Sequence, residues 1–275
     1  MTQYSASKVC KLLKIARSSY YYRTVHPKRP CYTQQECDTV YRIFLLHNGS
    51  FGRRIIKQEL EKEDIHYSER KISGILKQMG LRSKYGRKKC KNVHTSENTE
   101  KYIHENLYMQ LCEKARMHYE IWSMDFTEEK IGKKKIYTCG IISTTSKILV
   151  GLARGKSCTA ALAVEALRNA LTIYGSPYMV MTDRGSAFTS KVFYDILQAK
   201  GIRHSMSRPH TPIDNRFIET FWKSMKIEMG KTNHLNETTY AMVMDYYVYY
   251  YNNIRPHSSL NYDTPIQHQL NKIVI

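Results

Sequence analysis

The chain has 275 residues, enough for one large domain or two to three smaller ones, each with its own hydrophobic core. Its formal net charge of +19 favours nucleic acid as the binding partner, ahead of an anionic membrane surface. The charge is uneven, because residues 1–92 hold 21 Lys and Arg against 7 Asp and Glu, or +14, which leaves +5 for residues 93–275. The N-terminal third is therefore predicted to be the main electrostatic contact surface.

The seven cysteines argue against an extracellular protein. Their number is odd and no CxxC pair occurs, so neither a disulfide framework nor a zinc ribbon is indicated. The N-terminus lacks an apolar signal core, and no run reaches the ~18 apolar residues that a membrane span needs. These features predict a cytoplasmic protein with no membrane partner.

After a short helical segment at residues 1–32, the pattern predicts an all-α region over residues 33–92 with three short helices. The apolar face of the first helix is predicted to consist of Cys37, Val40, Tyr41, Phe44 and Leu45. The sequence HNGSFG breaks this helix, RRIIKQELEKE forms the second and SERKISGILKQM the third. Ser68 is predicted to cap the third helix at its N-terminus and Gly80 at its C-terminus.

Three short helices with tight connections are compatible with a helix-turn-helix that reads DNA. The third helix turns basic side chains outward, and a basic strip follows it. The predicted DNA contacts here are Arg70, Lys71, Lys77, Arg82, Lys84, Arg87, Lys88 and Lys89. The alternative is a solvated three-helix bundle with a flexible basic linker, although charge this local exceeds what solubility requires.

Residues 93–118 are interpreted as a linker that becomes helical, and residues 119–231 as an α/β domain. The segments IWSMDFT, IYTCGIIS and ILVGLA predict three antiparallel strands in a meander. They are followed by a helix, the strand YMVMT, a helix, the short strand IRHSM and a last helix. This order predicts a mixed five-stranded sheet with flanking helices.

Three acids occupy notable places in this domain, although each has an ordinary structural explanation. Asp125 lies on the polar face of the first strand, where it could pair with a lysine. Asp183 directly follows YMVMT, where ligands of α/β sheets tend to bind, but it could also serve the DRG turn. Glu219 lies among basic residues on the last helix, as on a solvated helix face.

The combination of these motifs favours a catalytic explanation. WSMDFT, TDRGSAFTS and DNRFIETFWKSMKIE occur in this order, with 35 residues between Asp183 and Glu219. The chain resembles the integrase-core DDE transposases of bacterial insertion sequences, specifically the product of the second reading frame. GRRIIKQEL with GILKQMGLRSK resembles the helix-turn-helix of that family, and YNNIRPHSSLNYDTPIQ its C-terminal motif. The resemblance covers nearly the whole chain from about residue 33.

The resemblance implies a ribonuclease-H-like fold with Asp125, Asp183 and Glu219 as an acidic triad that holds two Mg²⁺ or Mn²⁺ ions. It also implies cutting and joining of DNA strands at insertion-sequence ends, by hydrolysis and transesterification. The implied partners are double-stranded DNA, as terminal inverted repeats and target, and an upstream-frame protein or frameshift fusion. A dimer or larger assembly on DNA and a place at the bacterial nucleoid follow from the same resemblance.

The helix that carries Glu219 is compatible with this role. At ~100° per residue, Arg216, Glu219, Lys223 and Lys226 share one face, while an apolar face is free to seal against the sheet. The three basic residues on that face and Arg184 of the DRG turn are predicted to contact DNA. Asp214 and Asn215 are predicted to cap the helix and to shape the loop before it.

Some positions depart from the family pattern. Ser143 and Thr182 stand where many relatives carry Asp and His, so an auxiliary role for position 143 is in doubt. The loop RPHTPIDNR also differs, with Arg216 where a small residue is usual.

Residues 232–275 form a predicted C-terminal helical region whose tyrosines recur at helical spacing, which favours packing over base stacking. The apolar set predicted there is Tyr240, Val243, Tyr246, Tyr247, Tyr250 and Tyr251. Arg255 and His257 are interpreted either as DNA contacts or as residues that structure the tail.

Two other functions compete with an active transposase. One is a catalytically silent DNA-binding regulator derived from a transposase, although all three acids are present. The other is another ribonuclease-H-like nuclease or a retroviral-type integrase. A retroviral integrase should carry an N-terminal His-His-Cys-Cys zinc module, and no HxxxH with a CxxC occurs.

Overall fold

A computed structural model describes residues 6–12, 14, 16–18, 20–21, 32–85, 103–208 and 211–273. The chain forms two compact units, Met1–Tyr85 and Gly86–Ile275. Within the described residues, none of the helices is both long and apolar enough to span a membrane.

The first unit is all-α. Its helices are α1 (Ala6–Leu12), α2 (Gln34–Leu46), α3 (Arg53–Lys62) and α4 (Glu69–Gln78). Thr33 and Glu36 form a capping box at the start of α2. The Ser68 side chain accepts a hydrogen bond from the Lys71 N–H at the start of α4, which confirms the predicted cap. Gly80 follows α4 with φ +69°, the left-handed conformation that favours glycine at a helix end.

The core of this unit shows that the predicted face of α2 was partly wrong. Cys37, Val40 and Phe44 are buried as predicted, but Tyr41 and Leu45 are exposed, and Ile43 is buried instead. The helix is rotated because α3 and α4 pack against the side that includes Ile43. Helical spacing identified α2, but its exact buried side depends on these two partners.

The second unit contains a five-stranded mixed sheet in the order β3-β2-β1-β4-β5. The strands are β1 (Ile121–Ile131), β2 (Lys134–Ser143), β3 (Leu149–Gly155), β4 (Met179–Thr182) and β5 (Arg203–Met206). β1, β2 and β3 are antiparallel, while β4 pairs in parallel with β1 and β5 in parallel with β4. This is the ribonuclease-H-like arrangement that the resemblance implied, and β1 lies at its centre.

Helices cover both faces of the sheet. They are α5 (Leu107–Gln110), α6 (Glu113–His118), α7 (Ala160–Tyr174), α8 (Lys191–Ala199), α9 (Arg216–Met229), α10 (Glu237–Asn253) and α11 (Pro265–Ile273). One buried cluster joins the sheet to α7 and α8, and another joins it to α9 and α10. The C-terminal tyrosines pack, as predicted, and their partners include residues of the sheet. The exceptions are Tyr246, which is 66% exposed, and Val243, which is only half-buried.

Gly140 on β2 controls how closely α9 approaches the sheet. It lies opposite Asp125 in the β1–β2 ladder. A Cβ at this position would meet the ring of Trp222 at 2.7 Å, closer than non-bonded carbon atoms approach. The missing side chain lets α9 lie directly over the strand that carries Asp125.

Gly140→Ala is expected to lower the free energy of unfolding by about 1–3 kcal/mol, because the added methyl group forces Trp222 away from the sheet. Chemical denaturation of the variant and wild type measures this change. Gly52→Ala is the matched control, since a Cβ there meets nothing within 4 Å. Equal stability of Gly140→Ala and wild type would contradict the close approach of Trp222.

Candidate active site

The start of α9 is fastened to the central strand next to Asp125. The Ser123 hydroxyl on β1 lies 2.5 Å from Asn215 Oδ1, and Asn215 Nδ2 donates to the Met124 carbonyl at 3.1 Å. Asn215 occupies the N-cap position of α9 but makes no side-chain capping bond, so that part of the prediction was wrong. Asn215 is buried against β1, and buried polar atoms are stable only when they form hydrogen bonds. The side-chain amide therefore bonds to β1 and not to the backbone of α9.

The loop before α9 is shaped by Asp214, as predicted. Arg208 donates to both carboxylate oxygens of Asp214, with distances of 3.0 Å from Nε and from a terminal nitrogen. Asn106 Nδ2 donates to Oδ2 of the same carboxylate at 2.7 Å. These bonds fix the loop and the direction in which α9 begins.

Asp183 directly follows β4 and also serves the DRG turn, since its Oδ1 accepts the Gly185 N–H at 2.9 Å. The turn explanation and a site role are therefore compatible, because Oδ2 is left out of this bond. Behind Asp183, the Thr182 hydroxyl donates to the Asp183 carbonyl at 2.7 Å and lies 2.9 Å from His204 Nε2. Burial lowers the pKa of His204 to about 3, with a smaller contribution from His104, so His204 is neutral.

Glu219 lies on the exposed face of α9, one turn before Trp222. Arg216, Lys223 and Lys226 are exposed on the same side, while Ile218, Phe221, Trp222 and Met225 are buried. The predicted division of α9 into a charged and an apolar face is confirmed. The position of Trp222 over Gly140 brings Glu219 to the sheet face that carries Asp125.

The pKa values of Asp125 and Glu219 are raised by neighbouring carboxyl groups as well as by burial. Burial and, to a smaller extent, the charges of Asp183 and Glu219 together raise the pKa of Asp125 to about 8, against the opposing effects of the Phe126 N–H and Lys226. Asp183 and Glu219 are open to solvent on one side, yet burial of the rest of each group raises its pKa as well. The Asp183 charge further raises the pKa of Glu219. Burial and like charge thus both disfavour the ionised forms of these carboxyl groups.

The donor set of this cluster consists of carboxylate oxygens, which hard divalent cations such as Mg²⁺ prefer. Across the described ranges, no three His, Cys, Asp or Glu side chains stand as a group arranged to hold an ion. The fit to a divalent cation therefore rests on donor chemistry and on the mutual repulsion of Asp125, Asp183 and Glu219. A bound cation would offset that repulsion.

Asp125→Asn is expected to stabilise the metal-free protein increasingly as pH rises. The folded pKa of Asp125, about 8, lies above its ordinary value of 3.8, so between these values only the folded state retains the proton. Wild-type stability that is present below pH ~4 is therefore lost as pH rises towards ~8, whereas Asn does not titrate. The variant should gain on the order of a few kcal/mol over wild type by pH 8.

Thermal unfolding in chelator at pH 4.5 and pH 8 measures this gain. Asp195→Asn on α8 is the matched control, because Asp195 is an exposed aspartate. A difference between Asp125→Asn and wild type that is the same at both pH values would contradict a raised pKa for Asp125.

The basic residues near the three acids differ in their exposure and in the contacts that they make. Arg184 is half-buried and its Nε donates to the Ser207 carbonyl at 3.0 Å. Lys226 Nζ lies 3.7 Å from Glu129 Oε1. Arg216 and Lys223 are exposed on α9.

The basic residues predicted to contact DNA from the first unit fall into three groups. Arg70, Lys77, Arg82 and Lys84 are exposed. Lys71 is half-buried, because its Nζ lies 2.6 Å from Glu36 and 3.7 Å from the centroid of the Tyr67 ring. Arg87, Lys88 and Lys89 lie outside the described residues.

Arg255 belongs to a buried ion pair, which decides one alternative that the sequence left open. Its Nε donates to Glu228 Oε1 and Oε2 at 2.9 and 3.1 Å, and the Tyr247 hydroxyl donates to Oε2 at 3.0 Å. His257 is buried beside it, with a pKa lowered to about 3 by burial and then by the charge of Arg255. Both residues structure the C-terminal region.

Two features of the site escaped the sequence interpretation. Thr182 had been noted only as a departure from the family, and nothing in the sequence linked it to His204 on β5. Lys147 was not singled out, although its Nζ lies 4.4 Å from the centroid of the Phe217 ring on α9. Neither contact has a spacing signal, because each joins residues from separate elements.

Family models match both units. The model described as "Integrase core domain" matches residues 115–212, and a second model with the same description matches residues 200–265. A model described as "HTH-like domain" matches residues 33–89. These matches coincide with the mixed sheet and its following helices, and with the all-α region.

Curated relatives extend the match over most of the chain. The transposase InsF for insertion sequence IS3A of Escherichia coli is 27% identical over 267 residues, which cover 93% of this chain and 91% of the relative. The transposase for insertion sequence element IS904 of Lactococcus lactis is 27% identical over 246 residues, with 86% and 96% covered. The chain is homologous to IS3-family transposases.

Solved structures similar to this chain include the HTLV-2 integrase catalytic core domain in complex with magnesium. The TM-score is 0.44 at 20% identity, with 54% of this chain and 95% of that chain covered. The simian T-cell lymphotropic virus intasome in complex with PP2A regulatory subunit B56 gamma gives a TM-score of 0.46 at 17% identity, with 84% and 74% covered. The IS3-family homology rests on the sequence matches.

Proposed function

We propose that this protein is a transposase that cuts and joins DNA strands at insertion-sequence ends, with Asp125, Asp183 and Glu219 as its catalytic carboxylates. The observation that carries the proposal is the placement of these groups on adjoining elements of an integrase-core sheet. Asp125 lies on the central strand β1, Asp183 directly follows β4, which pairs with β1, and Glu219 lies on the helix that packs over Gly140, opposite Asp125. Homology to IS3-family transposases over most of the chain supports the same function.

The proposed reaction is two successive displacements at phosphorus. In the first, a water oxygen bonds to phosphorus and the 3′ oxygen leaves, which gives a free 3′-hydroxyl at the element end. In the second, that hydroxyl bonds to the phosphorus of another phosphodiester, whose own 3′ oxygen leaves. Each step forms one P–O bond and breaks one, so no oxidant or reductant is needed and no side-chain nucleophile is required.

The three carboxylates would hold two Mg²⁺ or Mn²⁺ ions, which supply Lewis-acid stabilisation of the attacking and leaving oxygens. The protein contributes rigid placement of the donors. The β1 strand fixes Asp125, the DRG turn fixes Asp183, and the Asn215 contacts with β1 fix the helix that carries Glu219.

Double-stranded DNA would bind through both units. In the first unit, Arg70, Lys77, Arg82 and Lys84 are exposed and support DNA contact by α4 and the segment after it. In the second, Arg184, Arg216, Lys223 and Lys226 lie on the turn after β4 and on α9 beside the carboxylates. Lys71 would contact DNA only if its ion pair with Glu36 were broken.

Joining two element ends in one complex would require at least a dimer on the DNA. An upstream-frame protein or a frameshift fusion would supply further recognition of the ends. Action on chromosomal DNA places the proposed activity in the bacterial cytoplasm, at the nucleoid.

The proposal is tested with purified protein, Mg²⁺ or Mn²⁺, and a labelled duplex carrying a terminal inverted repeat from the DNA that flanks the gene. Nicked and joined products are expected with the cation and none with chelator. A scrambled duplex of the same length is the control for end recognition. If the protein binds the duplex but neither nicks nor joins it, the silent regulator becomes the better explanation. Cleavage without any joining would favour a nuclease.

A further inference from the structure

The turn between β2 and β3 holds Lys147 in an unusual environment. Lys147 has φ +62°, a left-handed conformation that costs a non-glycine residue roughly 1–2 kcal/mol. Its side chain is half-buried, and its Nζ donates to the Thr144 carbonyl. Partial burial of a strongly hydrated ammonium group costs free energy unless a negatively charged partner interacts with it.

A second cation shares the aromatic ring that Lys147 contacts. Lys147 Nζ lies 4.4 Å from the centroid of Phe217, and Arg216 Cζ lies 5.1 Å from the same centroid. Within the described ranges, neither residue forms an ion pair with a carboxylate. The ring contacts both positive groups and offsets part of their repulsion.

The charged groups that act on Lys147 are all positive. Burial and, to a smaller extent, the charges of Arg216 and Lys272 together lower the pKa of Lys147 to about 8. No carboxylate contributes to this shift. The group is therefore short of a negative charge, and Arg216 is exposed to any anion that approaches from solvent.

The location of this pair suggests which anion it binds. Arg216 precedes Glu219 by three residues on α9, about 4.5 Å along the helix axis at 1.5 Å per residue. A DNA strand cut at Glu219 would carry a neighbouring backbone phosphate past Arg216. Ammonium and guanidinium groups are the usual donors to phosphate oxygens.

We propose that Lys147 and Arg216, both held against the Phe217 ring, bind one backbone phosphate of the DNA strand beside the phosphodiester that is cut. The inference rests on the proposed function for the identity of the strand. It assigns Lys147 to DNA binding and Phe217 to positioning the two cations.

The test measures how the affinity for a fluorescent duplex depends on salt, in chelator so that no cleavage occurs. The slope of log K against log salt falls by about 1 for each phosphate contact removed. A variant carrying both Lys147→Met and Arg216→Gln is expected to lose about 1 from the slope and about tenfold in affinity at physiological salt. The Lys200→Gln variant is the matched control, because Lys200 is an exposed lysine on the same unit, just after α8, and its slope should not change.

Lys147→Arg is the control for an effect of misfolding. It retains a positive charge at position 147, so the slope of log K against log salt is expected to equal that of wild type. The melting temperatures of all variants are compared; if the double variant melts early, Arg216→Gln alone is measured against Lys147→Arg. A wild-type slope in a folded double or Arg216→Gln variant overturns the proposal, as does an equal loss in Lys200→Gln. Absence of duplex binding by wild type also overturns it.

Inorganic phosphate at constant ionic strength distinguishes the source of the anion. If phosphate raises the melting temperature of wild type but not of the double variant, while both retain the same slope, the site takes free phosphate and the DNA assignment is overturned. The salt slope needs no catalysis, so a wild type that binds without cutting would refute the transposase proposal and leave the slope test intact.

Discussion

Asp183→Asn is expected to reduce DNA cleavage and joining by about 10³-fold or more while leaving duplex binding unchanged. The amide has nearly the shape of the carboxylate, and its oxygen can still accept the Gly185 N–H that defines the DRG turn. The turn should therefore persist. What disappears is one of the three negative charges that would hold the divalent cations.

This prediction is checked by single-turnover cleavage of the labelled terminal duplex, with binding measured in parallel by fluorescence anisotropy. Asp195→Asn makes the same chemical change at an exposed position on α8, where Asp195 pairs with Lys191 at 2.6 Å, and should retain full activity. Equal activity of Asp183→Asn and wild type would remove Asp183 from the catalytic set. Loss of duplex binding along with cleavage would instead assign the effect to DNA contact or to folding.

Glu228→Gln is expected to lower the free energy of unfolding by about 3–5 kcal/mol, because it leaves the Arg255 guanidinium buried without its carboxylate. The two side chains are 4% and 11% exposed, and their closest atoms are 2.8 Å apart. The pair connects α9 to the segment after α10. Its loss should therefore loosen the helix that carries Glu219 as well as the C-terminal region.

Denaturant unfolding measures the cost, and two comparisons isolate its cause. A double variant, Glu228→Gln with Arg255→Met, removes both charges and should recover part of the stability. Asp245→Asn breaks the ion pair with Arg154, in which Asp245 is 64% exposed, and should cost only about 0–1 kcal/mol. A similarly small loss for Glu228→Gln would mean that water reaches the buried pair.

Much of the second unit followed from local patterns in the sequence. The alternation in IWSMDFT placed Asp125 and Trp122 on opposite faces of β1, and in the structure Trp122 is fully buried in one cluster while Asp125 faces the side covered by α9. Helical periodicity likewise separated Glu219 from the apolar face of α9. These predictions succeed because a strand or helix fixes the directions of its own side chains.

Predictions that depended on a partner element were less successful. Asn215 was predicted to cap α9, but it binds β1, because burial against the strand outweighed the local capping bond. Tyr41 and Leu45 fitted the period of α2 and are exposed, because the packing of α3 and α4 selects a slightly different side. The sequence around a residue shows which capping bonds and which buried helix faces are possible. The packing of neighbouring elements determines which of them form.

The sequence by itself determined the order of strands and helices, the uneven charge and the three acids, since these depend only on residue type and spacing. Their resemblance to the second-frame transposases of insertion sequences was also visible in the motifs. Only the tertiary structure decided that α9 lies over Gly140 and that Arg255 pairs with Glu228. It also placed Lys147 and Arg216 against one ring. These contacts join residues that are distant in sequence, so they depend on shape, burial and unmatched charge in the packed molecule.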